Sequence, residues 1–167
     1  MKKYAISGSW RHTNEQLRQD VRIAVTRIME EGHMIITGGA LGVDFIATDQ
    51  ALKCNPKADR IKVIIPTSLV VYTRHFFNRA SEGAIKKSQA QELSDQLTDL
   101  KNRNPSALVE MSHNVCTPET YYDRNSRVVD LSTHLMAFHV NESQGVQDAI
   151  NKAKEQGKPV KVWRYKI

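Results

Sequence analysis

The chain has 167 residues, 40% hydrophobic and 25% charged, with 24 Lys and Arg against 18 Asp and Glu and a formal net charge of +6. That length and composition suit one globular domain with a good core, and no apolar run is long enough to cross a membrane. The positive excess favours anionic partners without choosing among them, while two cysteines without C-x-x-C and six histidines without H-E-x-x-H give no sign of a disulfide, a metal site or a cofactor.

Met1-Lys-Lys-Tyr-Ala-Ile enters a strand-like run directly, without the apolar stretch of a signal peptide. With so few cysteines, the expected location is cytoplasmic. Lys3 to Ser7 reads as a first strand, followed by the loop Gly8-Ser9-Trp10-Arg11-His12. Thr13 and Gln16 have capping-box spacing. Leu17, Val21, Ala24, Val25, Ile28 and Met29 then make a helical stripe, and Gly32 stops it. Met34 to Thr37 is a second strand. It breaks into Gly38, Gly39 and Gly42, after which Val43, Ile46, Ala47 and Ala51 fall on one helix face.

This strand, glycine turn and helix start are the core of the functional reading. The first turn of a helix offers free N–H groups and partial positive charge to an anion. Glycines let a phosphate approach, so Gly42→Val is expected to abolish binding by adding bulk. Asp44 sits in the first turn, placed to cap or to accept hydrogen bonds from a sugar. The same glycines would also serve a plain close junction. Neither G-x-G-x-x-G nor G-x-x-x-x-G-K-[ST] is present.

The second helix runs to about Lys53 and Asn55-Pro56 breaks it. Arg60 to Ile65 is a third strand, ended by Pro66. Tyr72 to Ile85 is helical, with Tyr72, Phe76, Phe77 and Ala80 as apolar members. Ser88 to Asn104 is a polar helix with a narrow stripe, Leu93, Leu97 and Leu100, that either packs on the domain or forms a subunit contact; packing is the commoner use. Ala107 to Met111 is a short extended segment. Thr117-Pro118-Glu119 starts a helix with a cap, a Pro at the first position and an acid. His134 to Val140 is a further strand. Asn141 to Gly145 is a second glycine loop before a helix bearing Val146, Ala149, Ile150 and Ala153, and Val160 to Tyr165 is the last strand.

This alternation predicts a Rossmann-like three-layer α/β/α sandwich with a mostly parallel sheet, in one domain over 1–167. Strand-to-helix loops then share the carboxyl edge of the sheet, where open α/β folds bind ligands. Gly8, Ser9 and Arg11 on the first loop are candidate phosphate donors, and Gln144 and Gly145 before the later helix form a second phosphate candidate. Trp10 either stacks on a base or covers the core edge. Phe76, Phe77, Tyr121 and Tyr122 read as core. No Ser-His-Asp or Cys-His set assembles, which leaves catalytic residues unassigned; Glu119, Glu142 and Asp148 are the available carboxylates.

Three stretches resemble the SLOG superfamily, which includes DNA-processing DprA (Smf) proteins, LOG-type phosphoribohydrolases and YpsA-like proteins. Ile6-Ser-Gly-Ser-Trp-Arg11 resembles its first-strand loop. Ile36-Thr-Gly-Gly-Ala-Leu-Gly-Val-Asp-Phe-Ile-Ala47 resembles the DprA pattern S-G-x-A-R-G-I-D-x-x-A-H, with Leu41 at the Arg and Thr48 at the His. Arg124-Asn-Ser-Arg-Val-Val-Asp-Leu-Ser132 resembles R-N-R-I-I-x-G-L-S. The resemblance implies a nucleotide or related phosphorylated ligand, with Arg124 and Asn125 at the crevice. It also implies a homodimer or even-numbered homo-oligomer. A DprA-like accessory protein that binds single-stranded DNA is the alternative. A LOG-like hydrolase of nucleoside monophosphates is a further one. That family's glutamate falls on Ala149 here, so little or no base release is expected.

Overall fold

The computed structural model describes residues 1–167. The elements run β1 (Lys3–Gly8), α1 (Glu15–Glu30), β2 (Met34–Thr37), α2 (Val43–Cys54), β3 (Ile61–Thr67), α3 (Leu69–Ser81), α4 (Lys87–Arg103), β4 (Leu108–His113), α5 (Pro118–Leu131), β5 (His134–Val140), α6 (Gln144–Glu155) and β6 (Val160–Tyr165), with one 3-10 turn at Pro105–Ala107. All six strands are parallel, in the order β4-β3-β2-β1-β5-β6. The expected α/β/α sandwich is therefore the fold, with a wholly parallel sheet.

Strand alternation assigns the two faces. Ile6, Ile35, Val63, Ile65 and Phe138 pack with the stripe of α1, with α2 and with α4. Ala5, Ile36, Ile64, Leu135 and Ala137 pack beneath Val128 and Val129 of α5 and Val146, Ala149, Ile150 and Ala153 of α6. The chain lays β2, β3 and β4 outward on one side of β1, then returns through α5 to place β5 on the other. The loops after β1 and β5 diverge there, which makes the β1/β5 boundary the switch point of the sheet. No helix is long and apolar enough to cross a membrane.

Three local expectations are corrected. Asn14, not Thr13, caps α1: its Oδ1 accepts the Leu17 N–H at 2.9 Å, while the Thr13 hydroxyl accepts from Arg18 and Gln16 donates to Asp20. Pro66 lies inside β3 and does not end it. The register with β4 shifts between Ile65 and Thr67, and such an irregularity is where a strand tolerates a residue without an N–H. Gly145 belongs to the first turn of α6, which begins at Gln144, and not to the preceding loop.

Leu93, Leu97 and Leu100 are all buried in the chain's own core, so the α4 stripe offers no subunit surface. Leu97→Ala is expected to destabilise the domain by about 2–5 kcal/mol, as truncation of a fully buried leucine does. Urea unfolding measures this. Loss of oligomer mass in light scattering, with an unchanged urea midpoint, would instead return the stripe to a subunit role.

Candidate functional site

The turn between β2 and α2 is held on four backbone groups. Asp44, in the first turn of α2, is buried. Its Oδ2 accepts the Gly38 N–H at 3.1 Å and the Ala40 N–H at 3.3 Å. Arg124 of α5, also buried, donates its Nη1 to the Gly38 carbonyl and its Nε to Asn125 Oδ1 at 3.1 Å. The Tyr72 hydroxyl of α3 donates to the Gly39 carbonyl at 2.9 Å. Three helices thus converge on one glycine turn.

The glycines fit this clamp. At Gly38 a Cβ would lie 2.7 Å from the Arg124 guanidinium, and at Gly39 2.7 Å from Ile65, so both are set by close packing. Gly8 lies against the Val43 side chain in the same way. Gly42 has φ of +71°, and a Cβ there would meet the Ser9 carbonyl. That carbonyl accepts the Val43 N–H at 3.0 Å, tying the β1 loop to α2. The Ser9 hydroxyl is also engaged, accepting the N–H groups of Arg11 and His12. Gly42→Val would therefore distort a loop-to-helix junction and would not act as a clean block of ligand.

Beside this turn a cavity of about 610 Å³ opens at the carboxyl edge of the sheet. Its size suits a small ligand, and 15 of its 27 lining residues are apolar, which is usual for such sites. Of the residues singled out from the sequence, it gathers Gly8, Gly38, Asp44, Arg124, Asn125 and Gly145. Ser9, Arg11, Gly39, Gly42 and Gln144 do not line it. Arg11 is exposed, its guanidinium 4.6 Å from the Trp10 ring centre.

Free backbone donors lie at the start of α6. Its cap residue Ser143 makes no side-chain bond, and the N–H groups of Gln144, Gly145 and Val146 find no acceptor in the chain. A Cβ at Gly145 would meet nothing within 4 Å. The β2–α2 turn, read from the sequence as the main anion site, has its Gly38, Ala40 and Val43 N–H groups engaged within the chain, while at the α6 turn Gly145 and Val146, whose N–H groups have no partner, line the cavity.

Aromatic residues read as core prove to line the cavity: Phe76, Tyr121 and Tyr122, the last 38% exposed, together with Trp10 at 41%. His75 and Arg79 line it too, and neither stood out in the sequence. The available signal was the spacing Tyr72, His75, Phe76, Arg79, one continuous helix face. Asp44 is the cavity's only carboxylate. Glu119 and Glu142 are exposed, and Asp148 is paired with Lys152 at 2.7 Å. Burial pushes the Cys116 thiol above its ordinary pKa, so it is no activated nucleophile. No three His, Cys, Asp or Glu side chains converge on one point.

Burial raises the Asp44 pKa from 3.8 to about 6, against the opposing pull of Arg124 and the two N–H groups. Between about pH 4 and about pH 6 the folded chain holds a proton that the unfolded chain has released. Stability falls as pH rises through that window and levels off above it, by on the order of 3 kcal/mol from this group. Asp44→Asn is expected to flatten that slope in urea unfolding between about pH 4 and 7. An equal slope in the variant would remove Asp44 as its source.

A family model for DNA recombination-mediator protein A matches residues 1–167, the whole chain. Among solved structures, the chain is similar to DNA processing protein A of Helicobacter pylori, whose structure describes a single-stranded DNA binding mode: TM-score 0.69, 21% identity, covering 96% of this chain and 64% of that one. It is similar to the molybdenum cofactor binding protein of Rippkaea orientalis, with TM-score 0.61, 16% identity and coverage of 98% and 76%. It is also similar to DNA processing protein A of Streptococcus pneumoniae, with TM-score 0.52, 16% identity and coverage of 96% and 58%. The chain thus spans under two thirds of the length of both DNA processing protein A structures. At these identities the likenesses establish the fold. The chain matches no curated protein sequence. With a family model matched from end to end and three motif stretches in order along the same fold, the chain belongs to the DNA recombination-mediator protein A family, within the SLOG superfamily.

Proposed function

We propose that this protein binds single-stranded DNA, taking one nucleotide of the strand into the cavity at the β1/β5 switch point. The observation that carries this reading is the family match over residues 1–167. The cavity adds to it. Open N–H groups at the start of α6 suit a phosphate, and Trp10, Tyr121 and Tyr122 suit a base. The net charge of +6 favours the strand electrostatically. Assembly as a homodimer or larger even-numbered oligomer belongs to the same proposal. It rests on the family alone, since the α4 stripe is buried.

The cavity itself favours a second reading, a free nucleotide or related phosphorylated small molecule. Its volume of about 610 Å³ is that of a small-ligand site. Both readings use the same donors and differ in whether a strand continues beyond the cavity.

Fluorescence anisotropy with a labelled thymidine oligomer tests the first reading. Binding is expected, with affinity that falls steeply as salt rises. Gly145→Asp is the informative variant. A carboxylate in the first turn favours the helix, yet it occupies the place of the anion. Loss of about tenfold or more in affinity, as expected where charge-assisted hydrogen bonds are removed, with no loss in melting temperature, supports the site. No binding to the oligomer, with thermal shifts from free nucleotides, would replace this reading by the second.

A further inference from the structure

Helix α3 is amphipathic in sequence but buries a single residue, Tyr72. Its inward face continues through His75, Phe76 and Arg79, and all four line the cavity. Tyr72 and Phe76 still touch the core, yet the stripe that a helix ordinarily buries against it here also forms a wall of the cavity. Tyr72 anchors the helix through the Gly39 carbonyl. Phe76 packs edge-on to Tyr72 at 4.9 Å, and His75 lies edge-on to Phe76 at 5.5 Å and to Tyr121 at 6.4 Å. Burial and the nearby Arg79 lower the His75 pKa, so its ring is neutral at neutral pH. Arg79 has one partner, Glu82 at 3.1 Å, and both side chains are well exposed, 42% and 60%. Such a surface pair exchanges readily for a better anion.

We propose that α3 is the specificity helix of this site, with His75 and Phe76 packing against a base and Arg79 exchanging Glu82 for a second phosphate at the end of the cavity away from α6. The inference rests on the cavity being a nucleotide site. Strand order carries it further. Helix α3 follows β3 and α6 follows β5, three strand spacings apart in β3-β2-β1-β5. The two donor sets thus come to the cavity from helices that leave different strands, with Arg79 near the far end of α3 and Gly145 in the first turn of α6. The ligand class is therefore a nucleotide with phosphates on both its 5′ and 3′ sides, as within a strand, in preference to a 5′-monophosphate.

Calorimetry on the full chain with thymidine 3′,5′-bisphosphate and thymidine 5′-monophosphate reads this out. The bisphosphate is expected to bind about tenfold tighter, the scale of one added charge-assisted contact. Arg79→Gln should bring the ratio toward one, and Glu82→Gln, which frees Arg79, should move it the other way. Circular dichroism confirms that each variant is folded. Equal affinity for the two ligands in the unsubstituted chain, or a ratio that survives Arg79→Gln, overturns the inference. If neither mononucleotide binds, the thymidine oligomer decides: affinity untouched by Arg79→Gln overturns α3 alone, and no oligomer binding overturns the nucleotide reading as well.

Discussion

The arrangement on which the site depends is the clamp around Gly38 and Gly39. A carboxylate takes two N–H groups of the turn, while a guanidinium and a phenol take its two carbonyls. Burying Asp44 and Arg124 costs solvation, and their proximity and backbone bonds offset part of that cost. The result joins α2, α3 and α5 to one point at the end of β2. Elements far apart in sequence thereby acquire fixed places around one cavity. A rigid floor of this kind gives a ligand preformed walls.

The clamp also changes what the family-like motifs mean in this chain. Gly38, Asp44 and Arg124 lie in the stretches that resemble the SLOG patterns, and all three line the cavity. Their hydrogen-bonding groups, however, serve each other before any ligand. The departures fit the same scheme. Thr48, standing where the DprA pattern has His, shares a buried 3.1 Å hydrogen bond with Thr37, and Leu41, at the Arg position, is buried. At the start of α6 the N–H groups of Gln144, Gly145 and Val146 are free. Anion binding follows unsatisfied donors, and the glycine turn has already committed its Gly38, Ala40 and Val43 N–H groups within the chain.

Apart from Trp10, the aromatic groups that line the cavity lie outside those motifs. Trp10 and Tyr122 are the exposed aromatics of the cavity, and α3 brings His75 and Phe76 to its other side. The sheet contributes little side-chain chemistry here. Its role is to separate the loops after β1 and β5 and so create the crevice.

The sequence by itself determined the strand and helix order, because each depends on local periodicity and on stop signals such as Gly32 and Asn55-Pro56. It also determined the parallel α/β class and the sheet edge at which the cavity opens, since both follow from alternating elements. Cap identity at Asn14 and the passage of β3 through Pro66 turned on one-residue differences that neighbours decide. Only the tertiary structure decided which donors are free. The Asp44 carboxylate and the Gly38 N–H are close in sequence, but Arg124 and Tyr72 reach the same turn from 86 and 33 residues away. Only it turned the α3 stripe toward a cavity, whereas α4, with the same kind of stripe, filled the core. Periodicity marks an apolar face; what that face meets is set by contacts between distant segments, which no local pattern records.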